Sequence, residues 1–289
     1  MLPFRKILCP VDYSLPSRAV VPYVKDLLRH FPADVVLVHA YGPSAVTALG
    51  YGELSMTNPN LYEDVRESEA VRLHAFAQEA FPGQHVETIV ELGEPGCVIH
   101  KIARREGADL IMLATAGHGP VRRLLLGSVT AKVLHDVSTP VWTGIGRVLT
   151  EHSGKTPYES ILCALDQSEE AEVVLRAAVA IADAYHARLS LLHVVETPVA
   201  SPEVDFGPLK KQLVDAAHIW LRELRNKLGL NANYVVVDAV LPDAVCREVI
   251  RTHADLVVTG RGHAQTTFTR MWSNLYSIVR ESPCPVLSI

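Results

Sequence analysis

Two copies of an α/β domain, each built on a five-stranded, mostly parallel sheet with helices on both faces, are predicted by three observations. A word near the start, Ile7-Leu8-Cys9-Pro10-Val11-Asp12-Tyr13-Ser14, returns as Ile161-Leu162-Cys163-Ala164-Leu165-Asp166-Gln167-Ser168. Further matches follow in the same order: Leu37-Val38-His39-Ala40 with Leu191-Leu192-His193-Val194, Gly93-Glu94-Pro95 with Val240-Leu241-Pro242, Ala108-Asp109-Leu110 with Ala254-Asp255-Leu256, and Thr139-Pro140-Val141 with Cys284-Pro285-Val286. A repeat of about 150 residues is the size of a domain and too long for a solenoid unit. Within each half, short apolar runs alternate with helical periodicity, as expected of a parallel sheet buried on both faces.

The first half begins with a strand at Lys6 to Val11, followed by a helix at Ser17 to Arg29 and a second strand at Val35 to Ala40. A helix at Tyr62 to Ala80 leads to a strand at Val86 to Glu91, and a helix at Pro95 to Glu106 leads to a strand at Leu110 to Ala114. A helix at Gly127 to Asp136 and a strand at Val141 to Gly144 complete it. The second half places strands at Ser160 to Leu165, Arg188 to Val195, Tyr234 to Ala239, Leu256 to Gly260 and Val286 to Ser288. The segment Gly144 to Tyr158, with Gly146, Ser153, Gly154 and Pro157, has the composition of irregular chain. It divides the sequence into a first domain at 1–146, a linker at 147–158 and a second domain at 159–289.

Composition removes several classes of function. With 48% hydrophobic and 20% charged residues, and only 17 Gly and 18 Pro in 289, the chain has material for packed cores and is no low-complexity polymer. A net charge of −5 gives no long-range attraction to nucleic acid or anionic lipid. Apolar runs such as Val35 to Val38 and Ile111 to Ala114 fall far short of the ~20 residues that cross a bilayer, and Met1 to Asp12 lacks a signal-like apolar stretch. A cytoplasmic protein with neither a nucleic-acid nor a membrane partner is the expectation. Five scattered cysteines, Cys9, Cys97, Cys163, Cys246 and Cys284, offer neither a disulfide framework nor a metal knuckle and read as buried, reduced thiols. No HExxH and no Cys/His zinc spacing occurs, so no metal site is predicted.

Chemistry concentrates at the carboxyl ends of the strands, where open α/β sheets bind their ligands. Asp12 and Asp166 follow the first strand of each half. A carboxylate there either accepts hydrogen bonds from an amine or ribose hydroxyls or caps the following helix. After the fourth strand comes Thr115-Ala116-Gly117-His118-Gly119-Pro120, and Gly127-Ser128-Val129 opens the next helix. Small residues ahead of a helix start let backbone amides approach an anion beside the positive end of the dipole. The alternative is an ordinary turn with Ser128 as a simple N-cap. Neither a dinucleotide fingerprint nor a GxxxxGK[ST] loop is present. Arg122 and Arg123 either pair with phosphate oxygens or lie solvated on the loop. His39 and His193, matched after a strand in each half, read as structural residues repeated by duplication. The long connection Tyr41 to Asn60 either covers a ligand edge or forms a contact surface, and its counterpart Glu196 to Pro208 is shorter.

Taken together, these residues resemble the universal stress protein family over nearly the whole chain, specifically its tandem members with two domains. The nucleotide-binding subgroup of that family has an acidic residue after the first strand and a loop of pattern G-x2-G-x9-G-[ST]. In the first half Asp12 and Leu124-Leu125-Leu126-Gly127-Ser128-Val129-Thr130 match, whereas the early glycine positions fall on Ala116 and Gly119 and only seven residues separate Gly119 from Gly127. In the second half Thr259 and Gly262 restore the spacing, but Trp272 stands at the last glycine, followed by Ser273. Its side chain is expected to block close backbone approach there.

The resemblance implies that Pro10, Val11 and Asp12 flank adenine and ribose, that Ala40 lies on the adenine side, and that Gly117, Gly119, Gly127, Ser128 and Val129 face the phosphates. It implies ATP as ligand, with any Mg2+ brought by the nucleotide. It also implies pairing of the two domains through the last strands, with Val141-Trp142 and Val286-Leu287, in the manner of the family's homodimers. No Ser/His/Asp order or carboxylate pair proposes a catalyst, so slow ATP hydrolysis is the upper limit of activity. Two functions stand open: a stress-response regulator holding ATP or a related adenine nucleotide in the first domain without fast turnover, and a nucleotide-free module acting through a protein partner.

Overall fold

In the computed structural model, residues 4–42, 61–115, 126–144, 158–196, 207–261 and 268–289 are described. The chain divides into two compact units, Pro3–Thr150 and Glu151–Ile289. The predicted linker at 147–158 lies almost wholly outside the described residues, as do the side chain of Trp272, the loop positions Ala116, Gly117, Gly119, Arg122 and Arg123, Gly262, and most of the connections after the second strand of each half.

The first unit runs β1 (Lys6–Pro10), α1 (Leu15–Arg18), α2 (Val21–His30), β2 (Asp34–Tyr41), α3 (Leu61–Ala80), β3 (Glu87–Leu92), α4 (Pro95–Glu106), β4 (Leu110–Ala114), α5 (Ser128–Asp136) and β5 (Val141–Gly144). Its strands lie in the order β3-β2-β1-β4-β5, and every pairing is parallel. Parallel neighbours require crossovers, which the helices supply. Four consecutive residues of β4, Leu110 to Leu113, are buried. Because successive side chains point to opposite faces, the sheet is covered on both.

The second unit runs β6 (Ser160–Leu165), α6 (Ala171–Tyr185), β7 (Arg188–Val195), α7 (Gly207–Lys227), β8 (Asn233–Asp238), α8 (Leu241–Thr252), β9 (Leu256–Thr259), α9 (Phe268–Glu281) and β10 (Val286–Ser288). Its order, β8-β7-β6-β9-β10, is again parallel throughout, and all six residues of β6 are buried. Fully buried Ile7, Leu8, Leu37 and Ile102 in the first unit, and Ile161, Leu162, Leu191 and Val257 in the second, centre each core on its sheet. Each such side chain contributes roughly 1.5–3 kcal/mol of transfer free energy.

One expectation needs correction. The helix predicted as continuous from Ser17 to Arg29 is broken after Arg18, with α1 and α2 separated by Ala19 and Val20. Pro22 has no N–H to donate to the carbonyl four residues back, so the chain closes α1 with a bond from Val20 N to Ser17 O and starts α2 afresh. The cysteine expectation also changes: Cys9, Cys163 and Cys284 are buried and Cys246 is half-buried, but Cys97 is exposed.

The repeated motifs acquire structural reasons. Asp109 accepts the amides of Arg5 (2.8 Å) and Lys6 (3.0 Å), fastening the start of β1, and Asp255 does the same for Glu159 (2.7 Å) and Ser160 (3.2 Å) at β6. Glu94 is the N-cap of α4, accepting from Gly96 N and Cys97 N, with Pro95 in the first turn. Both α4 and α8 end on left-handed residues, Gly107 and His253. No helix of the described residues is long and apolar enough to cross a membrane.

Candidate functional site

At the carboxyl ends of β1, β2 and β4 the first unit has a cavity of about 380 Å³, within the ordinary range of small-molecule sites. Seven predicted residues line it together: Pro10, Val11 and Asp12 from β1 and its end, Ala40 from β2, and Gly127, Ser128 and Val129 from the start of α5. Val38, Ile99 and Leu113 add apolar wall, and Ser14, Ser17 and Thr130 add hydroxyls. Gly117 and Gly119, the other two predicted residues, are outside the described residues.

Local bonding separates the two roles open for Asp12. Ser14 is the N-cap of α1, accepting from Ser17 N at 3.2 Å. Asp12 instead braces the turn ahead of it, its Oδ1 accepting from Ser14 N at 3.0 Å, and its carboxylate stays on the exposed lip of the cavity. The turn passes through Tyr13 at φ 60°, a left-handed conformation that a bulky residue adopts only when its surroundings hold it.

At the far side of the cavity Gly127 is the N-cap of α5. Its amide is spent on Thr115 O at 2.9 Å, its residue makes no side-chain cap, and the first turn of α5 carries no acidic residue. The first amides of a helix have no intrahelical acceptor, and the dipole there favours negative charge. Gly127 has φ −60° and ψ 143°, which any residue adopts, so its contribution is space rather than conformational freedom. The buried Thr130 hydroxyl donates to Ala114 O at 2.8 Å and pins α5 to the end of β4.

A cluster that sequence reasoning missed holds Tyr13. His39 Nδ1 donates to Val11 O at 2.7 Å, and its Nε2 lies 3.5 Å from Glu69 of α3. Arg72, one turn along α3, sits 3.6 Å from Glu69 and stacks its guanidinium 3.9 Å from the Tyr13 ring centroid. Tyr13 also packs on the His39 ring at 4.7 Å. Burial first, then the Glu69 charge, pushes the Tyr13 phenol above its ordinary value, with Arg72 opposing. The only trace in the sequence was the i, i+3 spacing of Glu69 and Arg72. His39 steadies the carbonyl of a cavity-lining residue, Val11.

The second unit has a counterpart of only about 100 Å³, lined by Ala164, Leu165, Asp166, Val194, Arg261 and Leu275 among others. Buried Thr130, Val133 and Leu134 of α5 and its C-cap Val137 have the same spacing as Leu275, Ile278 and Val279 of α9 and Ser282 just after it. Leu275 therefore stands where the first unit has Thr130, and Val194 where it has Ala40; both are larger and narrow the crevice. Burial pulls the Arg261 guanidinium down to about 10, against the opposing charge of Glu170. His193 repeats the His39 contact, Nδ1 to Leu165 O at 2.8 Å, but packs on Trp220 at 5.1 Å. Among the described residues no group of three or more His, Cys, Asp or Glu side chains is placed to hold a metal ion.

Comparison with known proteins places this architecture. The model of the universal stress protein family matches residues 3–143 and again 157–289. The chain belongs to the universal stress protein family. It is a tandem member, with two such domains in one chain. It is similar to the universal stress protein MJ0577 of Methanocaldococcus jannaschii, 27% identical over 150 residues, covering 48% of this chain and 93% of that protein. It is likewise similar to universal stress protein A of Escherichia coli, 30% identical over 133 residues, covering 43% of this chain and 85% of that protein. Among solved structures, a universal stress protein from Archaeoglobus fulgidus matches 99% of this chain and 96% of its own, with TM-score 0.68 and 20% identity, a likeness of fold.

Proposed function

We propose that this tandem universal stress protein is a regulatory protein that binds ATP or a related adenine nucleotide in its first domain, residues 1–146, without fast turnover. The observation that carries the reading is the convergence of the β1 end, Ala40 and the start of α5, where the N-cap Gly127 makes no side-chain cap, on one cavity of about 380 Å³. The apolar wall of Val11, Val38 and Ile99 suits a base, Asp12 on the lip offers an acceptor for ribose hydroxyls, and the α5 amides suit phosphate oxygens. Mg2+ would arrive with the nucleotide.

Slow or absent hydrolysis is part of this reading, and the described lining is consistent with it. Asp12 is the one titratable carboxylate among the described lining residues, and it already accepts from Ser14 N. No imidazole or lysine lines the cavity among them to take a proton from water. For the second domain, residues 159–289, the smaller crevice favours the other reading, a nucleotide-free partner-binding module.

The test is to denature the full chain, purified without added ligand, and identify released small molecules by chromatography and mass spectrometry. Thermal shift with millimolar ATP follows on the emptied protein. About one adenine nucleotide per chain, or a rise in melting temperature with ATP, is expected, because a ligand that binds the native state alone stabilises it. An empty protein that ATP does not stabilise refutes the reading.

A further inference from the structure

A second cavity of the second unit, about 520 Å³, lies at the opposite edge of its sheet, where the strands begin. It is bounded by the starts of β6 and β7, the ends of α6 and α8, and the turn from α7 into β8. Its floor is apolar, with Val179, Ala182, Leu189 and Leu230, and its rim carries Asp183, Arg188, Asn231, Asn233, Arg251 and His253.

The first unit offers the matching positions. Buried positions at the N-cap of α2 and within it, Val20, Val21, Val24 and Leu27, run in parallel with Val174, Leu175, Ala178 and Ile181 of α6. On that alignment Val179, in the cavity floor, corresponds to Lys25. In the first unit the Lys25 ammonium lies 5.7 Å from the ring centroid of Phe81, which is 1% exposed. The register that matches Glu87 to Asn233 matches Phe81 to Lys227, which is not aromatic and pairs with Glu172.

Strand registers align further replacements. Lys6 pairs with Asp34 as Ser160 pairs with Arg188, and Val36 pairs with Glu87 as Ser190 pairs with Asn233. Glu106 and Thr252 both precede the left-handed residue ending their helix. In the first unit Glu106 pairs with Lys6 at 3.6 Å; serine and threonine at these places leave room instead. At these places Asp34, Glu87 and Glu106 are matched by Arg188, Asn233 and Thr252, while Lys6 and Lys25 are matched by Ser160 and Val179.

What remains favours an anion. Arg251 is bound through Nε and Nη2 to Glu248, but Arg188 has no ion pair among the described residues. The Arg188 guanidinium fork shares the rim with the carboxamides of Asn231 and Asn233, a donor set that matches a carboxylate or phosphate.

We propose that this cavity is a second ligand site, which takes a small organic oxyanion, with Arg188 on the oxyanion and the floor of Val179, Leu189 and Leu230 on an apolar body. It does not depend on nucleotide binding in the first domain.

Phenyl phosphate and inorganic phosphate serve as probes in an amide NMR titration of the full chain. Saturable shifts at Leu189–Ser190 and Asn231–Asn233 are expected with phenyl phosphate, at least tenfold weaker with inorganic phosphate. Arg188→Glu, an exposed substitution, should weaken the phenyl phosphate response tenfold or more. Leu230→Phe, which fills the floor with an aromatic ring, should do so through shape alone. Equal affinity for both probes, shifts confined to Gly127–Thr130 of the first unit, no saturable shift, or a response indifferent to Arg188→Glu would each overturn the proposal.

Discussion

Replacing Gly127 by tryptophan, the residue the second half carries at the matching position, should abolish nucleotide binding while leaving the first domain folded. The backbone there is extended at φ −60° and ψ 143°, so a side chain introduces no conformational strain. Gly127 is half-buried at the cavity wall, and an indole there displaces ligand volume before it displaces core. Natural narrowing in the second unit leaves about 100 Å³. With roughly 30 Å³ per water in the liquid, that is room for a few waters and not for a nucleotide.

The expected signal follows from linkage. At a free ATP concentration one hundred times Kd, binding adds about 2.7 kcal/mol to native stability. For a unit of this size each kcal/mol moves the melting temperature by about 2–4 °C, so the wild-type shift should be about 5–11 °C. Differential scanning fluorimetry with and without ATP reads it directly. The variant should melt within about 3 °C of the parent without ligand, since substitutions away from the core rarely cost more than about 1 kcal/mol, and should show no ATP shift. A variant that melts normally and retains the full ATP shift refutes the placement of the phosphates at α5.

Three further outcomes follow from the same geometry. Asp109→Ala removes the acceptor of two β1 amides and should cost about 2–4 kcal/mol in urea unfolding, with Asp109→Asn recovering part of it; a loss below about 0.5 kcal/mol would show that the clasp is idle. Burial holds the His193 imidazole below its ordinary value, with the Leu165 carbonyl and Asp166 opposing. The fold therefore favours neutral His193, whose stabilising contribution is complete above the ordinary histidine value and is lost as pH falls through the depressed one. Stability measured from pH 7.5 to 5 should decline less steeply in His193→Asn, and an unchanged slope counts against it. His39→Asn keeps a donor for Val11 O but cannot reach Glu69, so a double-mutant cycle with Glu69→Gln should give a coupling of about 1 kcal/mol, whereas additive losses would mean that the 3.5 Å approach carries no energy.

Much of the fold was legible in the chain because the signals are local and doubled. Apolar runs such as Leu110 to Leu113 can be covered on both faces only by a sheet between helices, and a second copy of each motif repeated the signal. The break between α1 and α2 was legible too, in Pro22, but helical periodicity across Ser17 to Arg29 outweighed it. Of the candidate site, the residues on the ends of β1, β2 and α5 could be named because ligands in this topology gather where the strands end.

Long-range placement decided the rest. Whether Asp12 or Ser14 capped α1 depended on a turn held in a left-handed conformation by His39 and Arg72, residues 26 and 59 positions beyond Tyr13. The difference in size between the two crevices came from side chains on separate elements, Ala40 against Val194 and Thr130 against Leu275. The cavity beside Arg188 left no mark in any one segment, because its walls come from β6, β7, α6, α8 and the turn into β8. By itself the sequence determined two parallel α/β units and the edge at which a ligand would be sought, since periodicity and repetition act over short spans of chain. Volume and hydrogen-bond partnership are properties of residues far apart in sequence, and only the tertiary structure brought those residues together.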